Sequence, residues 1–476
     1  MNETLIREVV NEVLRNLNTS SQFQINSGQS QAGNFGVFET ADLAAQAAHD
    51  SFLQLQEKGV EARRKVIEIV KGMCEANAED WGKQELQESK IGRLDHKIEK
   101  LQIIKHVPGV EFLSPYALSG DNGITLEEYT PFGVVGAVTP STHSVPTIAG
   151  NIVNMVAAGN AVVFNAHPAA GEVAAMAVRE FNKAIFHEIG ISNLVTIIEK
   201  PTLDSFKEMC GHELVRLLCV TGGPGVVKAA MQTGKRAICA GPGNPPVLID
   251  ETADLNKAAE SIIKGGAYDN NLLCIGEKEI FVVDKIYSKF IDAFKKAGAF
   301  HLNDKQFDAM TKVAFKFKEG EGAGCPDPVV NKDCIGKDAT VLAEMAGVNV
   351  PGCTEMLFGE CDASHAYVQE EQMMPCVPVV RVKDVDEGVK LSKQAEHNYR
   401  HTSIIHSHDV NAMTKMGRAL DTTLFVKNGP CGAGLGLGGE GYLSYSIATP
   451  TGEGITNPKT FTRVRRCVMV DNLRIY

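Results

Sequence analysis

The chain has 476 residues, a formal net charge of −11, and 44% hydrophobic and 22% charged residues, ordinary globular usage over a length that suggests two or three domains. The acidic balance argues against a general nucleic-acid binder, which needs clustered Lys and Arg, and no apolar run approaches the ~18 residues that span a bilayer. Twelve cysteines without a Cys-x-x-Cys pair argue against structural zinc and read as reduced thiols of a cytosolic protein.

In chain order, residues 1–18 form the first unit. Leu5, Ile6, Val9, Val10, Val13, Leu14 and Leu17 recur at helical spacing, with Arg7, Glu8, Asn11, Glu12 and Arg15 on the opposite face. Residues 19–35 follow as a Ser-, Gln-, Gly- and Asn-rich linker. Such a helix has no core of its own: it docks either on its own globular domain or into a groove of another protein. Its polar face carries acids as well as bases, unlike a membrane-surface helix.

From Glu39 to about Leu113 the pattern is helical, opening with Thr40 as N-cap and continuing in a second helix over 62–78. Between Gly133 and Cys239, strand-like runs at 133–139, 161–165, 194–199, 215–220 and 236–240 alternate with helical patterns such as 146–159 and 169–186. This predicts a parallel sheet covered on both faces, which binds ligands at the carboxyl ends of its strands. A second α/β stretch runs from Pro246 to about Pro430, with helices over 254–266 and 386–395 and strands over 279–283, 377–382 and 402–406. The tail ends in an alternating strand, 461–471, with Arg463, Arg465 and Arg466 on its outward face.

Two features carry candidate chemistry. Thr221-Gly222-Gly223-Pro224-Gly225 follows a strand and opens a helix, so its backbone can approach a phosphate at the positive end of that helix. The spacing is not a Rossmann fingerprint, and tight turns use glycine in any case. Compact polar loops at Pro140-Ser141-Thr142-His143 and Asn165-Ala166-His167-Pro168 fall on the same sheet edge and strengthen a cofactor crevice. The second feature is Asp269-Asn270-Asn271-Leu272-Leu273-Cys274-Ile275-Gly276. Amides before Cys274 and glycine after it single this thiol out.

The segments TPSTHS, AAGNAVVFNAHPA, TGGPGVVKAA, GPGNPPVLIDETADL, DNNLLCIGEKE, EEQMMPCVPVVRV, EHNYRHTSIIHS and FVKNGP occur in that order between residues 139 and 430. Together they resemble the CoA-acylating branch of the aldehyde dehydrogenase superfamily, especially the propionaldehyde and acetaldehyde dehydrogenases of bacterial microcompartments. The resemblance covers nearly the whole chain. It implies an α/β fold with a doubly wound, parallel-sheet cofactor domain (36–113 and 133–243) and an α/β catalytic domain (244–430). A small oligomerisation sheet would combine 114–132 with 443–476, in a homo-oligomer. Residues 1–18 also resemble that group's encapsulation peptides, which implies docking on shell or core proteins in a microcompartment lumen.

The implied mechanism is thiolate attack by Cys274 on a short-chain aldehyde to give a thiohemiacetal, hydride transfer to NAD, and transfer of the resulting thioester to coenzyme A. A thiolate nucleophile leads one to expect a locally lowered thiol pKa. By resemblance, Pro140, Thr142, Thr221, Gly222 and Gly223 contact the cofactor, His167 and Pro168 reach its adenosine ribose, and Glu371 holds the nicotinamide ribose. Hydrolytic relatives carry a water-activating Glu, whereas the matching stretch here, 237–245, holds no carboxylate. Without that base, water competes poorly for the thioester. Cys239 falls near the missing Glu, as a small buried filler or a second reactive thiol. The family's oxyanion donor is Asn; here the position is His143, whose neutral imidazole N–H can donate one bond, unless another group serves. His397 and His401 stand in a family motif without an assigned role.

Overall fold

The computed structural model describes residues 34–317 and 328–473. The expected amphipathic helix 1–18 and most of the linker fall outside the described residues.

Six parallel strands form the first sheet, in the order Val37–Phe38, Val195–Ile198, Ala161–Ala166, Val134–Thr139, Val215–Thr221, Ala237–Ala240. Strands Val134–Thr139, Ala161–Ala166 and Val195–Ile198 are buried throughout, because helices cover both faces and leave no solvent side for alternation. Helix Ser144–Ala157 is buried at every residue, packed between helices Ala41–Ala76 and Gly171–Ile189. The chain builds the sheet outward on one side of Val134–Thr139 and then crosses to the other side at Val215–Thr221. That reversal places a crevice at the carboxyl edge.

The two N-terminal helices expected from periodicity are present as the two halves of Ala41–Ala76, separated by a break at Gly59 (φ 73°, ψ −163°), a conformation that side chains disfavour. Thr40 caps it, its Oγ1 accepting from Leu43 N at 3.3 Å.

Seven parallel strands form the second sheet, in the order Phe300–His301, Leu357–Cys361, Cys376–Val382, Glu279–Val283, Pro246–Ile249, Thr402–His406, Leu424–Lys427. The segments leading into its four central strands carry Gly243, Cys274, Glu371 and His401. The amino edge of this sheet therefore supplies one wall of the site, and the carboxyl edge of the first sheet supplies the other.

A third, antiparallel sheet joins Tyr116–Gly120, Gly123–Pro131 and Thr462–Val470. Arg463, Arg465 and Arg466 are exposed on the last strand. Opposite pairing puts Tyr116, Leu118, Val464, Val468 and Val470 on one face, each between 48% and 63% exposed in the isolated chain.

Candidate active site

A cleft of about 470 Å³ lies where the two large sheets meet. Pro140, Thr142 and His143 reach it from the loop after Val134–Thr139, and His167 and Pro168 from the loop after Ala161–Ala166. Thr221, Gly222 and Gly223 enter at the end of strand Val215–Thr221, and Cys274 and Glu371 come from the opposite wall. Every residue singled out in the sequence as catalytic or cofactor-binding thus lines this one cleft.

The glycine loop ends on helix Pro224–Met231, whose N-cap, Gly223, provides no side-chain cap. A Cβ at Gly223 or Gly225 would meet nothing within 4 Å. The open helix terminus and the space over it suit a pyrophosphate.

The nucleophile loop is held by unusual backbone. Asp269, Asn270 and Asn271 have φ of 48°, 57° and 64°, the left-handed region that Asn and Asp tolerate best among side-chain-bearing residues. Each is locked by its own side chain. Asp269 accepts from Arg93 N at 2.7 Å and pairs with Lys100. Asn270 Nδ2 donates to Gly336 O at 2.9 Å and to Asp338 Oδ1 at 2.8 Å. Asn271 Nδ2 donates to Gly266 O and Glu277 O at 2.7 and 2.8 Å. The buried Lys278 ammonium donates to the Asn271 carbonyl at 2.7 Å and also to Asn271 Oδ1. Three strained residues kept in place by the surrounding fold mark a preorganised site.

Cys274 departs from expectation. It is part-buried, and its thiol is pushed up to about 12, first by burial and then by the Glu371 carboxylate; Lys278 and Lys100 act the other way. The lowered pKa expected from its chemistry is absent because desolvation disfavours the thiolate more than two lysines favour it.

His143 caps helix Ser144–Ala157 through its carbonyl, which accepts from Thr147 N at 3.1 Å and Thr147 Oγ1 at 2.7 Å. Its ring Nδ1 pairs with Thr142 Oγ1 at 2.8 Å. Burial, then the Lys100 and Lys97 cations, hold its basicity well below the usual range. The ring is therefore neutral and can present one N–H.

Cys239 is fully buried, its thiol pushed up to about 11 by burial and the Glu453 charge, and it does not line the cleft. Glu371 is the sole carboxylate among the described lining residues; burial raises its pKa. His401 lies behind the site with Nδ1 2.9 Å from Thr402 Oγ1, driven down to about 4 by burial. His397 is exposed, its Nε2 bonded to Gln369 O at 2.7 Å.

Several contributors were invisible in the sequence. A second cavity of about 300 Å³ lies beyond the nucleophile loop, lined by Ile103, Leu273, Ile275, Leu435, Leu443 and Tyr445 among others. Leu273 and Ile275 flank Cys274, and Tyr445 lines both cavities. Apolar residues on either side of the cysteine were the available signal.

Residues 36–439 match the model of the aldehyde dehydrogenase family. The chain is 42% identical to the acetaldehyde dehydrogenase (acetylating) EutE of Salmonella typhimurium, over 100% of both chains. A crystal structure of Rhodopseudomonas palustris propionaldehyde dehydrogenase, with bound CoA and an acylated cysteine, superposes with a TM-score of 0.89 at 42% identity, covering 93% of this chain and 99% of that one. A propionaldehyde dehydrogenase from the Clostridium phytofermentans fucose utilisation bacterial microcompartment superposes with a TM-score of 0.89 at 41% identity, covering 93% and 100%. This chain therefore belongs to the aldehyde dehydrogenase family, in its CoA-acylating branch.

Proposed function

We propose that this enzyme oxidises a short-chain aldehyde, of the acetaldehyde or propionaldehyde kind, to its acyl-CoA by way of a thioester on Cys274. The observation that carries the reading is the convergence in one cleft of Cys274, the neutral donor His143 and the glycine loop at an uncapped helix terminus. Pro140, Thr142, His167, Pro168 and Thr221–Gly223 would hold NAD along one wall, with Glu371 toward its ribose, and the nicotinamide would supply the hydride acceptor.

The chain's own residues do the rest. Cys274 Sγ attacks the carbonyl carbon, and the oxyanion takes hydrogen bonds from the Cys274 N–H and the His143 ring. The apolar cavity beyond Leu273 and Ile275 receives the aldehyde's alkyl group. After oxidation, the thiol of coenzyme A displaces Cys274 from the acyl carbon, forming the new thioester and releasing the enzyme thiol. The absence of a carboxylate at 237–245, where Cys239 is a buried filler, supports transfer to coenzyme A over hydrolysis.

The exposed apolar side chains around the Arg466–Glu127 ion pair on one face of the antiparallel sheet support homo-oligomer formation, since Tyr116, Leu118, Val464 and Val468 would otherwise lie in water. Residues 1–18 serve as a docking helix for a microcompartment shell or core protein, consistent with the microcompartment source of one solved relative.

The test is a steady-state panel of acetaldehyde and propionaldehyde with NAD, with and without coenzyme A. The expected product is acyl-CoA, one per NADH. Full-rate NADH formation without coenzyme A, with free acid released, would overturn the transfer. Retention of activity in Cys274→Ala would overturn the thiol mechanism. A reporter carrying residues 1–18 that stays diffuse in cells with assembled shells would remove the docking role.

A further inference from the structure

Helix Leu94–Gln102 lines no part of the cofactor cleft, yet it is bonded to both loops that deliver the reacting groups. Two lysines one turn apart make the connections. Lys97 and Lys100 are 1% and 0% exposed, so neither ammonium is solvated. Lys97 donates to Glu85 Oε1 at 3.0 Å and reaches the Thr142 carbonyl at 3.4 Å. The other oxygen of Glu85 accepts from Val145 N at 3.0 Å. Lys97 and Glu85 thus bracket His143, one holding the residue before it and the other the helical turn after it. Lys100 pairs with Asp269, the first of the three left-handed residues leading to Cys274.

Neighbouring groups of the helix repeat the pattern. Arg93 N donates to Asp269 Oδ1 at 2.7 Å, and Asp269 N donates to His96 Nδ1 at 2.9 Å. Tyr445 Oη donates to the Lys100 carbonyl at 3.1 Å, while its ring packs 5.4 Å from that of His143. The bonds from 93–100 therefore fall on the segments holding His143 and Cys274, on the side away from the cofactor cleft.

We propose that this helix is the brace that sets His143 against Cys274, with Lys97 and Lys100 as positioning residues for the acyl-transfer reaction; the inference rests on the function proposed above. A fully buried ion pair is a poor source of stability, because desolvating both charges offsets their attraction. Two such pairs on one short helix are better accounted for by the geometry they impose. Their charge also acts in the useful direction: both cations keep His143 neutral, and Lys100 favours the Cys274 thiolate.

The experiment uses the full-length enzyme with each pair neutralised together, so that no buried charge is stranded: Lys100→Met with Asp269→Asn, and Lys97→Met with Glu85→Gln. Folding is checked by circular dichroism and thermal melting. The expected result is a kcat lower by about 10²-fold with KM for aldehyde nearly unchanged. For the Lys100 pair, the pH dependence of Cys274 alkylation by iodoacetamide also moves to higher pH. Of the charges facing that thiol, Glu371, Lys278 and Lys100, only the last is removed. A fold without precise positioning demands would leave kcat and the alkylation profile unmoved. Folded variants with wild-type kcat overturn the brace. If the Lys100 pair does not fold, the Lys97 pair, whose hydrogen bonds go to the His143 side rather than to the nucleophile loop, decides the kcat test. Cys274→Ala assayed alongside separates the two failures: if it keeps activity, the thiol mechanism itself is wrong, and if it is dead while both pairs are active, only the brace is.

Discussion

Gly243 lies directly against the backbone of Cys274: a methyl group on its Cα would overlap the Cys274 carbonyl oxygen and come within 2.9 Å of His401 Cγ. The contact joins the GPGNPP segment to the DNNLLC segment. It also explains why position 243, shortly before strand Pro246–Ile249, is glycine. Neither neighbour can yield easily, one being backbone and the other a buried ring.

Gly243→Ala should therefore push the nucleophile out of register. Misplacement by a fraction of an ångström to an ångström costs about 10²-fold in turnover, so kcat is expected to fall by that order with the fold kept, as circular dichroism reports. Wild-type turnover in the alanine variant would show that Cys274 does not need this support.

The layers of the fold were legible because parallel strands write themselves as short apolar runs between helical periods, as at 133–139 and 161–165. The glycine loop and Cys274 were legible because their chemistry is local in sequence. Lys97 and Lys100 were not. In LDHKIEKLQ they read as the solvated face of a helix, and only partners on other elements, Glu85 on the preceding helix and Asp269 far along the chain, turn them inward. The raised Cys274 pKa was hidden for a related reason: burial is its largest cause, and the cleft around the thiol is walled by loops of both sheets, which no sequence window contains.

His143 tests the oxyanion assignment. His143→Ala is expected to lower kcat by about 10²-fold or more, the usual cost of one lost donor, while His143→Asn, which keeps an N–H donor, retains more activity. Because burial and two lysines hold the ring neutral, no loss of rate near pH 6.5 should trace to His143. Steady-state pH profiles of the three proteins check both points, and a near-normal rate for His143→Ala would assign the donor elsewhere.

Glu371 faces Cys274 and raises its pKa. Glu371→Gln removes that negative charge while Lys278 and Lys100 remain, so the thiolate fraction at a fixed pH rises. Alkylation of the free enzyme by iodoacetamide at pH 8 should be severalfold faster than in the wild type, with the KM for NAD raised by loss of a ribose contact. Slower or unchanged alkylation would mean that the carboxylate does not govern the thiol.

Glu277 gives the stability counterpart. Its carboxyl is fully buried against Gly265, accepts from Cys431 N at 2.9 Å, and is pushed up to about 7 by burial. An unfolded Glu releases its proton near 4.5, so between the two values the native state binds more protons than the unfolded one. Stability must then fall as pH rises through this window, by about 3 kcal/mol once the group is charged in both states. Glu277→Gln cannot titrate. Any fixed cost of its buried amide is the same at every pH and drops out of the comparison. Urea midpoints measured at pH 5 and pH 8 should show the variant gaining on the wild type at the higher pH. A difference that is constant across the two would place the Glu277 pKa near its ordinary value and remove the buried, protonated carboxyl from the account of this wall.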